Sequence, residues 1–147
     1  PLPKNSSNPG FLPQHNLVFW SYTTMKNLRM QYRKDCILLP STGRAGAAKL
    51  GTYLQEGWCG YYNHGVFFKK LASPSAPPSA YPDFGCSCEV YLANNFLELE
   101  TLGPLQKIQP GNAAVHTETW ELVQNLAADS DLEPFAGRLE EFTNRQL

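Results

Sequence analysis

The stretch CEVYLANNFLELET, residues 88–101, predicts a β-hairpin and thereby decides the fold class. Two runs of alternating residues flank an Asn-Asn pair, and asparagine tolerates the left-handed backbone that a two-residue hairpin turn requires. Because side chains alternate across a strand, the apolar residues share one face and the polar residues share the other. With the turn at Asn94 and Asn95, the predicted pairs are Ala93–Phe96, Leu92–Leu97, Tyr91–Glu98, Val90–Leu99 and Glu89–Glu100.

The polar face of this hairpin sets carboxylates against each other, namely Glu89, Glu98 and Glu100. Directly opposed like charges destabilise a sheet by roughly 0.2–1 kcal/mol, so the arrangement needs an explanation. One hypothesis is a sugar or polyol site, in which one carboxylate is a general base and a second is an acid or a hydrogen-bond acceptor. The alternative is a solvated outer face neutralised by basic residues. Lys69 and Lys70 point opposite ways on their strand, so we expect one of them to share the face with the acids.

Composition narrows the class of protein. The chain has 147 residues, enough for one domain with a sizeable core, and 12 basic against 13 acidic residues give a formal net charge of −1. No cluster of cations suggests a nucleic-acid partner or an anionic membrane surface, and no apolar run approaches the roughly 20 residues of a membrane helix. The start, PLPKNSSNPG, lacks an initiator Met and the apolar centre of a signal peptide, so we expect a processed end or a fragment boundary.

Four cysteines occur, and no two of them form a C-x-x-C pair. A zinc site normally groups its ligands at turn spacing, so thiol-based metal binding is not expected. The even count leaves disulfides open, but four cysteines in a chain of this length are not a dense disulfide framework. We favour reduced, mostly buried thiols in a bacterial cytoplasm for Cys36, Cys59, Cys86 and Cys88.

The chain divides into an extended N-terminal arm (1–16), a β-domain (17–126) and a C-terminal helix (127–147). The helix is predicted because apolar residues recur at three and four residues within DLEPFAGRLEEF. Nine or ten short strands at hairpin spacing predict an all-β, antiparallel β-sandwich. Besides the hairpin, the predicted strands are Leu17–Tyr22, Leu28–Tyr32, Asp35–Leu39, AKLGTYLQ, GWCGYYN, VFFKKL after an NHG turn, LQKI and Ala113–Val123. The predicted core is Val18, Trp20, Ile37, Leu39, Phe67, Val90, Leu92, Leu97, Leu99 and Leu122, with Trp120 also assigned to it.

Several residues outside the hairpin acids are candidates for ligand contact. Asp83 lies in a loop between a proline and a glycine, where a rigid sheet commonly places functional residues, although it has the simpler role of accepting turn hydrogen bonds. Trp58 and Tyr61, beside small residues, and Tyr91 on the hairpin offer rings that suit the apolar patches and hydroxyls of a sugar, or ordinary core packing. Lys69 is a candidate counter-charge or anion contact.

The histidines supply the remaining chemistry. His116 is two residues before Glu118 on a predicted strand, hence on the same face, and His64 lies at a hairpin tip. A His-x-Glu pair with the hairpin acids is a possible metal set, but with a single well-placed histidine we predict no metal and no cofactor. The chain has no G-x-S-x-G, no phosphate-binding glycine loop and no dinucleotide fingerprint.

The segments LVFWSY, FFKK, YPDFGC-x-CEVY, FLELETLGPL and HTETWEL, in this order, resemble a group of uncharacterised bacterial proteins. Their fold is similar to that of the galactose mutarotase (aldose 1-epimerase) superfamily. The resemblance runs from about residue 12 to residue 123 and implies a large antiparallel sandwich whose concave sheet carries a carbohydrate site. Such proteins are about twice as long, so the chain resembles their C-terminal half. This implies a missing half, a half supplied by another chain, or a smaller closed sandwich.

The expected function is therefore carbohydrate or polyol binding, with sugar epimerisation or mutarotation as the expected reaction of an enzyme. Mutarotases use a Glu base and a His acid, but none of their catalytic motifs aligns with this chain, so the resemblance assigns no catalytic residue. Our own hypothesis takes Glu89, Glu98 or Glu100 as the base and His116 or His64 as the acid. The alternative is a non-catalytic binding or self-association module with a solvated acidic face. An exposed sheet edge would favour a homodimer or pairing with the missing N-terminal half.

Overall fold

The computed structural model describes residues 2–3, 13, 15–33, 36–41 and 46–124, and it consists mainly of antiparallel β-sheet with few helical residues. The predicted C-terminal helix, and most of the predicted arm, lie outside these residues. No helix in the described part is long and apolar enough to cross a membrane. The strands are β1 (Leu2–Pro3), β2 (Val18–Phe19), β3 (Gln31–Tyr32), β4 (Cys36–Leu38), β5 (Ala48–Thr52), β6 (Trp58–Asn63), β7 (Val66–Leu71), β8 (Cys88–Leu92), β9 (Leu97–Thr101) and β10 (Thr119–Val123); the helical turns are α1 (Met25–Leu28), a 3₁₀ turn (Pro78–Ala80) and α2 (Pro82–Gly85).

A four-stranded antiparallel sheet in the order β2-β5-β8-β9 carries the candidate site. Its β8–β9 hairpin has the register predicted from the sequence, with Glu89 opposite Glu100 and Val90 opposite Leu99. The backbone N–H of Ala93 donates to the Phe96 carbonyl at 2.9 Å and closes the turn over the Asn-Asn pair. The alternation of the sequence is therefore sufficient to fix which side chains face the core.

Two three-stranded sheets, in the orders β1-β4-β3 and β10-β7-β6, complete the fold. The β6–β7 hairpin is also confirmed: Asn63 pairs with Val66 around a turn in which His64 and Gly65 both have positive φ, 47° and 79°. This is the backbone that two-residue hairpins favour. β10 is an edge strand, since within the described ranges only β7 pairs with it.

The main core cluster draws residues from each of the three sheets. The inward face of the four-stranded sheet contributes Leu50, Val90 and Leu92, and Ile37 of β4 and Cys59 of β6 pack against them. This agrees with the predicted core at Ile37, Val90 and Leu92. The other fully or nearly buried members are Leu2, Leu28, Ala48, Leu54 and Cys88, with Leu39, Leu97 and Leu99 packed at the periphery.

Several predicted strands are shorter than the sequence suggested, and one is partly helical. Residues 25–28 form α1 because the Thr24 hydroxyl accepts a hydrogen bond from the Asn27 N–H at 3.1 Å, a side-chain N-cap, and Leu28 is buried under this turn. The predicted strand over residues 28–32 was therefore wrong in its first half. The strand predicted over residues 113–123 begins only at Thr119, and none forms at residues 105–108.

The prediction that Trp20, Trp120 and Leu122 belong to the core was also wrong. Trp120 and Leu122 are 66% and 71% exposed on the edge strand β10. Their face of the sheet continues onto Phe68, whose ring meets the Trp120 indole edge-on at 5.6 Å. Trp20 is half-buried and covers the outward, polar face of the four-stranded sheet, where its ring lies 4.8 Å from the Lys49 ammonium.

Candidate functional site

The polar face of the four-stranded sheet is the surface that carries Lys49, Glu89, Tyr91, Glu98 and Glu100. Antiparallel pairing arranges these residues in two rows across the strands. Lys49 of β5, Tyr91 of β8 and Glu98 of β9 form one row, and the next row contains Glu89 of β8 and Glu100 of β9. Strand alternation, which buries Leu50 and Val90 on the other side, projects all five side chains outward.

Lys49 relieves the repulsion between the paired acids. Its ammonium lies 2.6 Å from the Glu89 carboxylate and 3.1 Å from the Glu100 carboxylate, and the Lys49 side chain is only 16% exposed. Burial alone lowers the pKa of Lys49, but the hydrogen bonds and charges of Glu89 and Glu100 raise it above its ordinary value. The Lys49 side chain therefore remains an ammonium and joins strands β5, β8 and β9 through charge-assisted hydrogen bonds.

Aromatic side chains surround this ion cluster. The Lys49 ammonium lies 4.8 Å from the centre of the Trp20 ring, within cation–π range. Tyr91 meets Tyr22 edge-on at 6.4 Å and Phe96 at 5.8 Å. The polar face therefore combines charged groups with ring surfaces and phenol hydroxyls.

The α2 turn, which carries Asp83, has a strained backbone. Asp83 and Phe84 have left-handed φ angles of 49° and 60°, unusual for residues with side chains and costing of order 1–3 kcal/mol each. Asn16 stabilises this turn by donating its amide N–H groups to the Phe84 and Gly85 carbonyls, at 3.2 and 3.5 Å. The Cys86 thiol donates to the Asp83 carbonyl at 3.0 Å. These three hydrogen bonds stabilise the turn.

Glu89 is the most perturbed carboxyl group on this face. It is 3% exposed; Lys49 holds its Oε2 atom, and no described donor lies within hydrogen-bonding distance of its Oε1 atom. Burial raises the pKa of Glu89, the Lys49 hydrogen bond lowers it, and the neighbouring Asp83 carboxyl raises it, with a net upward shift. Burial and the Glu89 and Asp83 charges also raise the pKa of the Cys86 thiol to about 12, so Cys86 is protonated at neutral pH.

A second carboxyl pair lies at the exposed side of the face. Hydrogen bonding and charge repulsion from Glu100 raise the pKa of Glu98, which is solvent-exposed. Two carboxyl groups of the face, those of Glu89 and Glu100, contact the single Lys49 ammonium, and Glu98 lies beside Glu100. When all are ionised the negative charges outnumber the positive charge, so the site favours protons, hydrogen-bond donors and cationic groups.

The structure does not bring the predicted basic residues Lys69 and Lys70 to the acids. Both belong to β7, in another sheet; Lys69 lies 3.8 Å from Glu121, and its ammonium is 5.9 Å from the Trp58 ring. Lys70 pairs with Glu118 at 2.9 Å. The expectation that one of these lysines shares the polar face was therefore wrong, and Trp58 also lies in that other sheet.

His116 also lies apart from the acidic face. Its Nε2 atom is 2.8 Å from the Thr101 hydroxyl. Thr101 follows Glu100 on β9, so its side chain projects to the opposite side of the sheet. Of the other candidates, His64 is exposed at the β6–β7 turn, and Tyr61 lines a small, largely apolar interior cavity of about 40 Å³. The structure thus groups Asp83, Glu89, Tyr91, Glu98 and Glu100, and separates them from Lys69, Trp58, Tyr61, His64 and His116.

Sequence reasoning missed Lys49, Trp20 and Tyr22. The segment AKL, with Lys49 between residues that proved fully buried, carried the signal for an outward-facing lysine. Which strand lies beside β8 is a non-local property that alternation does not encode. Trp20 was assigned to the core on hydrophobicity alone.

A groove of about 590 Å³ borders the other residue of the strained turn, Phe84, whose side chain is 92% exposed. The groove is lined by Pro13, His15, Asn16, Tyr53, Gln55, Pro78 and Phe84. None of the polar-face carboxylates lines it, and the ion cluster on the polar face is the more chemically specific feature.

Among the described residues, no group of three or more His, Cys, Asp or Glu side chains is arranged to hold a metal ion. Comparison of the chain with protein families, curated proteins and solved structures finds no match. The proposals for function therefore depend on the geometry of the polar face.

Proposed function

We propose that the polar face binds a carbohydrate or a related polyol, on an antiparallel β-sandwich of the galactose mutarotase-like type. The observation that carries the proposal is the cluster of Lys49, Glu89 and Glu100 bordered by Trp20 and Tyr91. A sugar presents hydroxyl groups, which both donate and accept hydrogen bonds, and apolar C–H faces that pack on aromatic rings. The cluster offers carboxylates as acceptors, an ammonium as donor and rings beside them.

Burial of Glu89 argues against a purely solvated acidic face. A solvated outer face predicts fully exposed acids, which describes Glu98, whereas Glu89 is 3% exposed. Glu89 is instead buried and paired with Lys49, as a buried charge requires, so the face is not a purely solvated one. The partly exposed Glu100 and Lys49 are the groups that a ligand would contact first.

If the site is catalytic, the chemistry it favours is proton transfer at a sugar hydroxyl or ring oxygen, as in ring opening and reclosure. Because His116 lies on the opposite side of β9, carboxyl groups would supply both the acid and the base. Glu89, whose pKa is raised chiefly by burial, would act as the acid, and the partly exposed Glu100 would act as the base.

A thermal-shift screen against hexoses, pentoses, sugar phosphates and sugar acids tests the proposal. A ligand that binds only the folded state stabilises it by about 2.7 kcal/mol at a hundredfold excess over Kd. We expect a shift with at least one class, abolished in Glu100→Gln and retained in Glu56→Gln, a control in the turn between β5 and β6. A shift that is equal in both variants, or absent throughout the panel, would overturn the proposal.

The second candidate, a self-association module, is favoured by one separate observation. The edge strand β10 exposes Trp120 and Leu122, and an apolar edge is a template for pairing with another chain. Sedimentation of the wild type and of Trp120→Glu distinguishes this candidate. A wild-type dimer that dissociates in the variant supports it, and a monomer at all concentrations refutes it.

A further inference from the structure

Lys69 is a buried amine that no described side chain satisfies. Its side chain is 5% exposed, and its ion pair with the Glu121 Oε2 atom spans 3.8 Å, beyond hydrogen-bonding distance. The centre of the Trp58 ring is 5.9 Å from the ammonium, at the outer limit of the cation–π range. Among the described residues, no acceptor lies within hydrogen-bonding distance of the Lys69 Nζ atom. A buried amine in these surroundings is stabilised by any ligand that satisfies it.

The neighbouring lysine on β7 shows the contrast. Lys70 donates to the Leu99 carbonyl at 2.7 Å and pairs with the Glu118 carboxylate at 2.9 Å. Because side chains alternate along the strand, Lys70 and Lys69 project to opposite faces of their sheet. Both lysines are buried, but Lys70 is engaged by the fold through short contacts and Lys69 is not.

Strand pairing limits which side chains can reach Lys69. Its partner on β6 is Gly60, and its partner on β10 is Glu121. Gly60 supplies no side chain, and a larger residue does not fit there because its Cβ atom would clash with the Phe67 ring. Glu121 is therefore the side chain directly opposite Lys69, and its carboxylate stops short of the amine.

Glu121 provides the complementary half of the site. Its Oε2 atom is buried and, within the described part of the chain, has no hydrogen-bond partner. The Glu121 side chain as a whole is 34% exposed on the edge strand β10, so it leads from solvent to the amine. A donor and an acceptor thus lie 3.8 Å apart beside the Trp58 ring. A ligand suited to both offers an accepting or electrophilic atom to Lys69 and a hydroxyl donor to Glu121.

We propose that Lys69 is a reactive amine that condenses with small α-hydroxy aldehydes, and that Glu121 carries the proton and receives the ligand hydroxyl. Lysine amines in desolvated surroundings serve as nucleophiles towards carbonyl carbon in Schiff-base chemistry. The site belongs to a different sheet from the polar face, so this inference does not rest on the proposed function.

The condensation needs no oxidant or reductant. The Lys69 ammonium gives one proton to Glu121, and its nitrogen adds to the carbonyl carbon. Glu121 returns that proton to the hydroxyl formed from the carbonyl oxygen, which leaves as water. The products are an iminium on Lys69, one water molecule and a restored Glu121 carboxylate, which faces the iminium charge and accepts the hydrogen bond of the ligand hydroxyl.

Reductive trapping of the folded full chain tests the proposal. The probe is glycolaldehyde with sodium cyanoborohydride, which reduces the iminium to a secondary amine, and peptide mass spectrometry gives the labelling rate of each lysine. We expect Lys69 to be labelled at least about tenfold faster than the exposed Lys26 and Lys107, which have no positioned proton carrier. Propionaldehyde, which lacks the hydroxyl, should label Lys69 more slowly relative to Lys26.

Glu121→Gln removes the proton carrier and is expected to slow Lys69 labelling by about tenfold or more, with the Lys26 rate unchanged. Glu56→Gln, in the turn between β5 and β6, is the matched control and should leave both rates unchanged. A lysine that is merely buried would be labelled more slowly than Lys26, and that result in the wild type would overturn the proposal whether or not the variants fold. Equal Lys69 rates in Glu121→Gln and the wild type, or no preference for glycolaldehyde, would also overturn it.

Discussion

Replacing Lys49 by Met is expected to destabilise the protein in a strongly pH-dependent way. The substitution keeps much of the side-chain volume but removes the ammonium from Glu89, which is 3% exposed, and from the partly exposed Glu100. Without Lys49, the buried Glu89 must either keep an uncompensated charge or take up a proton.

Proton uptake sets an upper limit on the Glu89 contribution. The ordinary pKa of a glutamic acid is 4.5, so keeping Glu89 protonated at pH 7 means holding a proton about 2.5 pH units above that pKa. At about 1.36 kcal/mol per pH unit, this costs about 3.4 kcal/mol. At pH 5 the same limit is about 0.7 kcal/mol. The partly exposed pair with Glu100 adds between about 0 and 1 kcal/mol. Because Glu89 is already hard to ionise in the wild type, we expect a loss of about 2 kcal/mol at pH 7 and less than about 1 kcal/mol at pH 5.

Urea unfolding at both pH values measures this loss. Lys107→Met, at an exposed position, is the matched control and is expected to change stability by less than about 0.5 kcal/mol. Adding Glu89→Gln to Lys49→Met should restore most of the stability lost at pH 7, because no charge is then left buried. A loss of equal size at both pH values, or no recovery in the double variant, would show that Lys49 acts through packing and not through its charge.

Two further predictions concern the support of the polar face and the network behind it. Gly51→Ala should cost about 1–3 kcal/mol, since the new Cβ atom would lie 2.5 Å from the Cys86 sulfur and 3.2 Å from the Trp20 ring; thermal unfolding measures the loss, and Cys86→Ala in the same chain should recover part of it. An unchanged melting temperature would show that Cys86 and Trp20 can move to accommodate the new methyl group, which would contradict the prediction. Glu118→Gln should cost about 1.5–3 kcal/mol near neutral pH. Burial raises the pKa of Glu118, but its hydrogen bonds, including that from Lys70, lower the pKa by more, so the net shift is downward. The stabilisation from ionised Glu118 is therefore present above pH 4.5 and is lost as the pH falls through the lowered pKa. Urea unfolding should show the two proteins converging in acid, and a constant difference at every pH would contradict this account.

The hairpins show what the sequence alone predicts well. The turn at Asn94–Asn95 and the turn at His64–Gly65 fix the register of their strands locally, because each turn dictates which residues pair and alternation then assigns the faces. The grouping of Glu89 with Glu100 followed from this register without any knowledge of the rest of the fold.

The parts that sequence reasoning missed depend on contacts between distant segments or on a competing local signal. Lys49 meets the acids only because β5 lies beside β8, and the pairing of these strands is not encoded by alternation within either one. His116 was predicted to lie on a strand, but β10 begins only at Thr119 and the chain before it is irregular. The His116 side chain therefore contacts Thr101, on the side of the sheet opposite Glu100. At α1, the Thr24 cap outweighed a pattern that was assigned to a strand.

Saturation-transfer difference NMR with a mixture of hexoses, pentoses, sugar phosphates and sugar acids tests the central claim most directly. The comparison is between the wild type and the Lys49→Met, Glu89→Gln double variant, which is expected to stay folded but lacks the ion cluster. We predict saturation transfer to the C–H protons of at least one sugar class, through the rings of Trp20 and Tyr91, and its loss in the double variant. Transfer that is absent in the wild type, or equal in both folded proteins, would show that the polar face is not a carbohydrate site.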